Sequence, residues 1–195
     1  MNQDATEKIV DADLWKLFLN GNEQAFERLY RSYYAVLFNY GYRVTSDKNL
    51  TREAIQHLFV KLWTNRNNLS PTAHVKQYLF KAFRNHLLTL QAQHRKELPV
   101  ETYGVSLVQD PFEEKLIRRE TALHNAQKLQ ELLAILTPRQ REAIQLRFFS
   151  DLSYEEIAHI LDMQVGGTYK LIYRALERLR ESAPTFVLLC CWLFL

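Results

Sequence analysis

The sequence predicts an all-α protein, made of two small helical domains joined by a flexible linker, with the C-terminal domain arranged as helix, turn, helix. Three observations carry this. Apolar residues recur at three- and four-residue spacings along almost the whole chain, the period of an amphipathic helix. Only 5 glycines and 5 prolines occur among 195 residues, and they fall mostly where that period breaks. A hydrophobic content of 47% is enough for true cores, at a length suited to one ordinary domain or two small ones.

In the N-terminal half, a first helix through Leu14, Trp15, Leu17, Phe18 and Leu19 ends at Asn20-Gly21. Asn22 then caps an aromatic-rich helix carrying Phe26, Leu29, Tyr30, Tyr33, Tyr34, Leu37, Phe38 and Tyr40, and Gly41 with the polar run from Thr45 to Asn49 marks the next break. A third helix carries Ile55, Leu58, Phe59, Leu62 and Trp63, with Glu53, Gln56, Val60 and Lys61 around its other sides. Asn65 to Pro71 reads as a polar loop, and a long helix follows from about Ala73 to Arg95, with Tyr78, Leu79, Phe83, Leu87 and Leu90 inside. Phe26, Phe38 and Phe83 are read as core. Around the loop and on the last helix lie His74, Lys76, Gln77, Tyr78, Lys81, Arg84, Asn85, His86, Gln93 and Arg95. They combine phosphate-seeking cations with groups able to stack on, or hydrogen-bond, an unpaired base, which is chemistry suited to an opened strand.

The stretch 98–111, with Pro99, Gly104 and Pro111 and no sustained helical period, reads as a semi-extended linker. Phe112 to Leu136, with Leu116, Ile117, Leu123, Leu129, Leu132 and Leu133, begins the second domain. Thr137 can cap a helix whose first residue is Pro138, where the missing N–H costs nothing. Ala143, Ile144, Leu146 and Phe148 form its apolar stripe. Ser150 to Ser153 interrupts, with Ser153 and Glu156 at capping-box spacing. A short helix follows through Ile157, Ala158, Ile160 and Leu161, then a break from Asp162 to Gly167. The last helix can pack Leu171 or Ile172, Ala175, Leu176 and Leu179 inward, leaving Tyr169, Lys170, Tyr173 and Arg174 on the opposite face. Those four offer hydrogen-bonding, stacking and cationic groups of the kind that read base edges and hold phosphates, in a punctuation that lays one helix in a DNA major groove. A three-helix bundle with a solvated basic face produces the same pattern.

The formal net charge is only +3. Residues 1–97 hold 14 Lys and Arg against 9 Asp and Glu, whereas residues 98–195 hold 11 against 13. The basic excess belongs to the N-terminal half, so the C-terminal domain is expected to bind DNA feebly alone, because phosphate neutralisation supplies most non-specific affinity. The only cysteines are the adjacent Cys190 and Cys191, with no partner at disulfide-framework or zinc-ligand spacing, which fits a reducing cytoplasm. The N-terminus, with Asp4, Glu7, Asp11 and Asp13, is not read as a signal peptide. The segment 184–195 ends in the uncharged run Phe186 to Leu195, too short to cross a bilayer as a helix. It is read as packed on the domain surface, with a shallow membrane tether and a docking segment as the alternatives.

Leu136-Thr-Pro-Arg-Gln-Arg-Glu, Leu152-Ser-Tyr-Glu-Glu-Ile-Ala158 and Tyr173-Arg-Ala-Leu-Glu-Arg-Leu-Arg180 resemble the C-terminal domain of bacterial sigma factors of the extracytoplasmic function (ECF) type. Asn22-Glu-Gln-Ala-Phe-Glu-Arg-Leu-Tyr30, Glu53 to Trp63 and Tyr78 to Asn85 are similar to that family's N-terminal domain in the same order. The resemblance implies a domain at 1–97 that binds core RNA polymerase and melts the minus-ten element, and a domain at 112–183 that recognises the minus-thirty-five element. It implies polymerase contacts at Glu53, Gln56, Phe59 and Trp63. It implies minus-ten contacts at Ser70, Thr72, His74, Lys76, Tyr78, Lys81, Arg84 and Asn85, with Ser70 to Lys76 standing where the family captures a flipped base. It implies minus-thirty-five contacts at Tyr169, Lys170, Tyr173 and Arg174. The linker is expected to thread through polymerase channels, and a membrane-bound anti-sigma factor is expected as negative regulator.

The chain departs from the family pattern at four places. Glu53 stands where Asp is usual, and His57 where an acidic residue is common, which weakens one contact to the polymerase clamp helices. Gln164 stands for Ser and Gly167 for Thr; a poorer cap and the Gly166-Gly167 pair, at about 1 kcal/mol per glycine, predict a recognition helix whose start orders only on DNA. Lys170-Leu-Ile-Tyr-Arg-Ala resembles versions from polysaccharide- and iron-uptake systems of Bacteroidetes-type bacteria.

No phosphate-cradling glycine loop, nucleophile with its base or paired metal-ligand set is evident, so the sequence predicts a cytoplasmic non-enzyme without cofactor or small-molecule substrate. A stand-alone helix-turn-helix regulator accounts for the C-terminal half alone. A helical adaptor with a degenerate helix-turn-helix is the other alternative.

Overall fold

A computed structural model of the chain describes residues 3–97 and 133–182. The proposed linker 98–111, the leucine-rich stretch up to Leu132 and the apolar segment 184–195 lie outside the described residues. Seven α-helices and one short 3-10 turn are present among them, without a strand: α1 (Gln3–Leu19), α2 (Glu23–Thr45), α3 (Lys48–Thr64), the turn Arg66–Asn68, α4 (Val75–Glu97), α5 (Pro138–Phe148), α6 (Tyr154–Ile160) and α7 (Val165–Ser182). They form two compact units, one containing α1 to α4 and the other α5, α6 as far as Ala158 and α7, described separately below.

In the N-terminal unit the break after α1 is made by Gly21, whose φ of +82° is the left-handed conformation that glycine adopts without a Cβ penalty. Asn22 caps α2 as its sequence position predicts, its Oδ1 accepting the Ala25 N–H at 2.8 Å. Gly41, however, does not end α2, which continues to Thr45. A Cβ there would sit 2.8 Å from both Phe83 Cζ and Thr51 Cγ2. The glycine therefore serves close approach of α2 to α3 and α4, and the true stop is Ser46, in the left-handed region at φ 57°. Asp47 then caps α3, its Oδ1 accepting the N–H groups of Asn49 and Leu50.

The core of this unit is aromatic. Trp15, Phe18, Tyr40, Phe80 and Phe83 are essentially fully buried with Leu29, Leu37, Ile55, Leu79 and Leu87. Trp15 and Phe18 lie 5.0 Å apart between ring centroids, and Tyr40 meets Phe80 at 5.4 Å and Phe83 at 6.0 Å. Phe83 is core as expected, but Phe26 and Phe38 are only half-buried and Leu17 is exposed. Phe38 belongs to a row, Tyr34, Phe38 and Tyr42, stacked at four-residue intervals along the outer flank of α2. Residues four apart share a helix face, and here that face lies at the border of the core.

The C-terminal unit is held by its caps. Thr137 Oγ1 accepts the Gln140 N–H while Gln140 Oε1 accepts the Thr137 N–H at 3.1 Å, a reciprocal capping box with Pro138 at the first helical position. Ser153 and Glu156 repeat the arrangement before α6, at 3.2 and 2.8 Å. Leu136, Ala143, Ile144, Leu146, Leu152, Ile157, Ile172 and Ala175 are buried. Of the residues expected to face inward from the last helix, Ile172 and Ala175 do so, while Leu171 and Leu179 are half-buried and Leu176 is exposed; Phe148 on α5 is exposed too.

The expected break through Gly167 is shorter in the structure. The chain turns at Asp162 (φ 50°), and α7 already begins at Val165, with both glycines in its first turn. The fully buried Thr168 anchors that turn, its N–H donating to Gln164 O at 3.0 Å and its hydroxyl to the same carbonyl at 3.3 Å.

Candidate nucleic-acid interface

On α7 the buried residues Thr168, Ile172 and Ala175 define one side, and the 3.6-residue period places Tyr169, Lys170, Tyr173 and Arg174 on the other. All four are exposed, Tyr169 by 48% and Tyr173 by 63%. They form one contiguous strip, as the spacing predicts. The Tyr173 hydroxyl is hydrogen-bonded to Glu177, whose carboxylate raises the phenol pKa through that bond and its charge. Tyr173 is thus neutral at physiological pH. Tyr169 is stacked on Tyr154 of α6, with centroids 3.9 Å apart and planes inclined by 16°. The Arg147 guanidinium lies 5.3 Å from the Tyr154 ring centroid and donates through Nη1 to Leu152 O at 3.1 Å. Sequence reasoning missed Tyr154 and Arg147. They come from α5 and α6, and no period relates them to Tyr169, so only the packing of the three helices brings them together.

In the N-terminal unit, the segment between α3 and α4 is fastened from α1, where the Trp15 indole N–H donates to Ser70 O at 3.1 Å. Arg66 turns its guanidinium over the Trp63 ring, 4.6 Å from the centroid, and donates to Trp63 O at 2.8 Å. Beyond Ser70, Thr72 Oγ1 accepts the His74 N–H at 3.0 Å. Ser70 and His74 are exposed and Thr72 is half-buried.

By helical phase, His74 at the mouth of α4 continues into Tyr78, Lys81 and Asn85 along one side, with Arg84 flanking it. The structure does not bring Lys76 into this strip. It lies about half a turn round, on the side of the buried Leu79 and Phe83, and is itself half-buried. Tyr78, expected inside, is half-buried at the edge of the core, edge-on to Trp15 at 5.3 Å. Burial raises its phenol pKa and keeps it neutral.

On α3, Gln56 is exposed, Glu53 and Trp63 are half-buried, and Phe59 faces inward at 4% exposure, against Tyr30 at 4.9 Å and Phe26 at 5.9 Å. Phe59 therefore supports the outer surface of α3 from beneath. The apolar residue offered to solvent is Val60, 55% exposed and one turn on from Gln56. Beside them, His57 faces His86 of α4 with ring centroids 5.4 Å apart. His86 Nε2 is buried without a hydrogen-bond partner among the described residues. Its pKa is lowered by burial first and then by the neighbouring His57 and Lys61, with Glu53 opposing. Among the described residues no three His, Cys, Asp or Glu side chains are grouped so as to hold a metal ion, and no helix is long and apolar enough to cross a membrane.

A protein-family model described as "Sigma-70, region 4" matches residues 126–179, the segment that contains α5 to α7. The ECF RNA polymerase sigma factor SigM of Bacillus subtilis is 23% identical over 154 residues, covering 79% of this chain and 92% of that one. The chain carries a sigma-70 region 4 segment and is similar over most of its length to RNA polymerase sigma factors of the ECF type. Solved structures share its fold. One is described as CnrH in complex with the cytosolic domain of CnrY, with a TM-score of 0.66, 20% identity and coverage of 90% of this chain and 97% of that one. Another is the sigma factor RpoE in complex with the anti-sigma factor NepR from Bartonella quintana, with a TM-score of 0.58, 21% identity and coverage of 82% and 98%. The region 4 match spans both capping boxes and the exposed strip of α7.

Proposed function

We propose that the chain is an RNA polymerase sigma factor of the ECF type and that it binds core RNA polymerase through the outer side of α3, where Glu53, Gln56 and Val60 are presented with Trp63 at the end of the helix. In this reading residues 1–97 bind the polymerase and open the minus-ten element. The loop from Ser70 to Lys76 receives an unpaired base there, with His74, Tyr78, Lys81, Arg84 and Asn85 along the strand. Residues 112–183 recognise the minus-thirty-five element, 98–111 connect the two domains, and 184–195 form an apolar extension. The chain contributes no catalytic group, and nucleotide addition belongs to the polymerase. It works in the cytoplasm, restrained by an anti-sigma factor. Support for that partner comes from the RpoE relative, which was solved with the anti-sigma factor NepR. The Lys170-Leu-Ile-Tyr-Arg-Ala segment supports a Bacteroidetes-like subtype.

The observation that carries the proposal is the uninterrupted exposure of Tyr169, Lys170, Tyr173 and Arg174 on one face of α7, following two helices whose starts are each fixed by a capping box. An exposed helix face in this setting can enter a major groove without rearrangement of its supports. The net negative charge of residues 98–195 argues that the face acts only when the polymerase supplies further affinity. Run-off transcription from a genomic fragment library, with purified core polymerase in the presence and absence of the chain, tests this. Discrete new transcripts sharing a two-element upstream sequence are expected. No new transcript together with no co-purification with core polymerase would sink the reading, and tight binding of a palindromic site without polymerase would favour a stand-alone regulator.

A further inference from the structure

We infer that Tyr154 is a positioning residue for promoter recognition, holding Tyr169 in a single orientation so that the recognition helix meets the minus-thirty-five element with a preset aromatic ring. This rests on the promoter-reading role proposed for α7 and adds to it a residue outside that helix.

Tyr169 sits in the first full turn of α7, just beyond Gly166 and Gly167. A half-exposed tyrosine there would ordinarily sample several rotamers and lose that freedom on binding. Here one face of its ring is covered by Tyr154, 3.9 Å away and nearly parallel. Tyr154 has little freedom of its own to move. It is the first residue of α6, directly after Ser153, whose side chain and backbone both take part in the capping box with Glu156. Its ring also lies beside the Arg147 guanidinium, which is tied to Leu152 O and lies 4.0 Å from the Asp151 carboxylate. Arg147, Tyr154 and Tyr169 thus form a three-member stack contributed by α5, α6 and α7.

Tyr154 itself is half-exposed and outside the buried core, so an aromatic ring is not required there to fill volume. Its partner Tyr169 belongs to the exposed strip. The stack therefore orders a ring at the edge of the recognition face, and an ordered ring contributes to binding because less freedom remains to be lost. It also offsets the glycine pair, which would otherwise loosen the start of α7.

The test uses the full-length chain assembled with core polymerase. The probe is a promoter fragment recovered by the run-off screen, with its upstream element intact or scrambled, and binding is followed by fluorescence anisotropy. Tyr154→Leu is expected to weaken binding about three- to tenfold on the intact element and leave the scrambled one unchanged. Tyr154→Phe, which keeps the stack, should bind as the parent does. Tyr169→Ala should show the same element-dependent loss, and adding Tyr154→Leu to it should cost nothing further. Equal losses on both elements, or full additivity of the two substitutions, would mark Tyr154 as merely structural and overturn the proposal. Because Tyr169 is exposed, parent-like binding by Tyr169→Ala would overturn it even if Tyr154→Leu folded poorly. If the parent holoenzyme does not distinguish the two elements, the promoter-reading role of α7 fails and this inference with it. If it does and Tyr154→Leu is silent, only the inference fails.

Discussion

The two units of this protein are stabilised by different means. In the N-terminal unit, large rings from α1, α2 and α4 fill a common interior, and the exposed residues ride on that volume. The C-terminal unit has no buried aromatic ring among its described residues; its first two helices are short, and a reciprocal capping box sets where each of them begins. Ring packing resists deformation because every lost contact leaves a void. Capping fixes helix direction without a large buried ring, and the aromatic side chains of this unit lie exposed or half-exposed at its surface.

This contrast is broken most severely by Phe18→Ala. Phe18 is completely buried between Trp15 and Phe26, so truncation should cost about 3–5 kcal/mol. Denaturant unfolding should show the loss in an N-terminal transition, with the C-terminal one unmoved; equal shifts in both would mean that the two units do not unfold separately. Gly41→Ala comes next. The added Cβ meets Phe83 and Thr51 at 2.8 Å, and overpacking of this kind costs about 1–3 kcal/mol. A variant as stable as the parent would show that α2 can move away from its neighbours at little cost.

In the C-terminal unit the comparable weak point is a cap. Ser153→Ala removes the oxygen that accepts the Glu156 N–H and should cost about 1 kcal/mol, read as a lower melting temperature of that unit. Gly166→Ala should do the opposite. No atom lies within 4 Å of the new methyl group, so the substitution should stabilise α7 by about 0.5–1 kcal/mol. Failure to stabilise would mean that the start of α7 gains nothing from higher helix propensity at this position.

The smallest expected effect is one of pH. The folded-state pKa of His86 is lowered, chiefly by burial. The unfolded chain therefore takes up the proton first, and the contribution of neutral His86 is complete above a pH of about 6.5, the ordinary histidine value. It is lost as pH falls from there through the lowered folded value. Denaturation midpoints of the N-terminal unit should decline over that range in the parent and vary less in His86→Gln. An unchanged slope would assign the pH dependence to other groups.

Much of this organisation was legible in the sequence. The breaks at Asn20-Gly21 and Thr137-Pro138, the Asn22 cap, the Ser153–Glu156 box and the exposed strip of α7 all follow from local chemistry, since caps and turns involve residues within four positions of each other. Gly41 was misread because a glycine inside a helix and a glycine ending one look alike until the neighbouring helices are in place. Phe26 and Phe38 were misassigned for a related reason. Spacing identifies the apolar side of a helix, but the depth to which each residue is covered depends on where the next helix crosses. Lys76 was grouped with Tyr78 and Lys81 by proximity in the chain, whereas the 3.6-residue period separates it from them.

The sequence by itself determined the helical class, most helix starts and the exposed four-residue face of α7, because each rests on short-range periodicity and capping. The tertiary structure alone decided that Phe59 packs against Tyr30 and Phe26, that His57 meets His86, that Trp15 fastens Ser70, and that Arg147, Tyr154 and Tyr169 share one stack. Each of these joins residues from different elements, and crossing geometry between helices is set by the packing of all their side chains together.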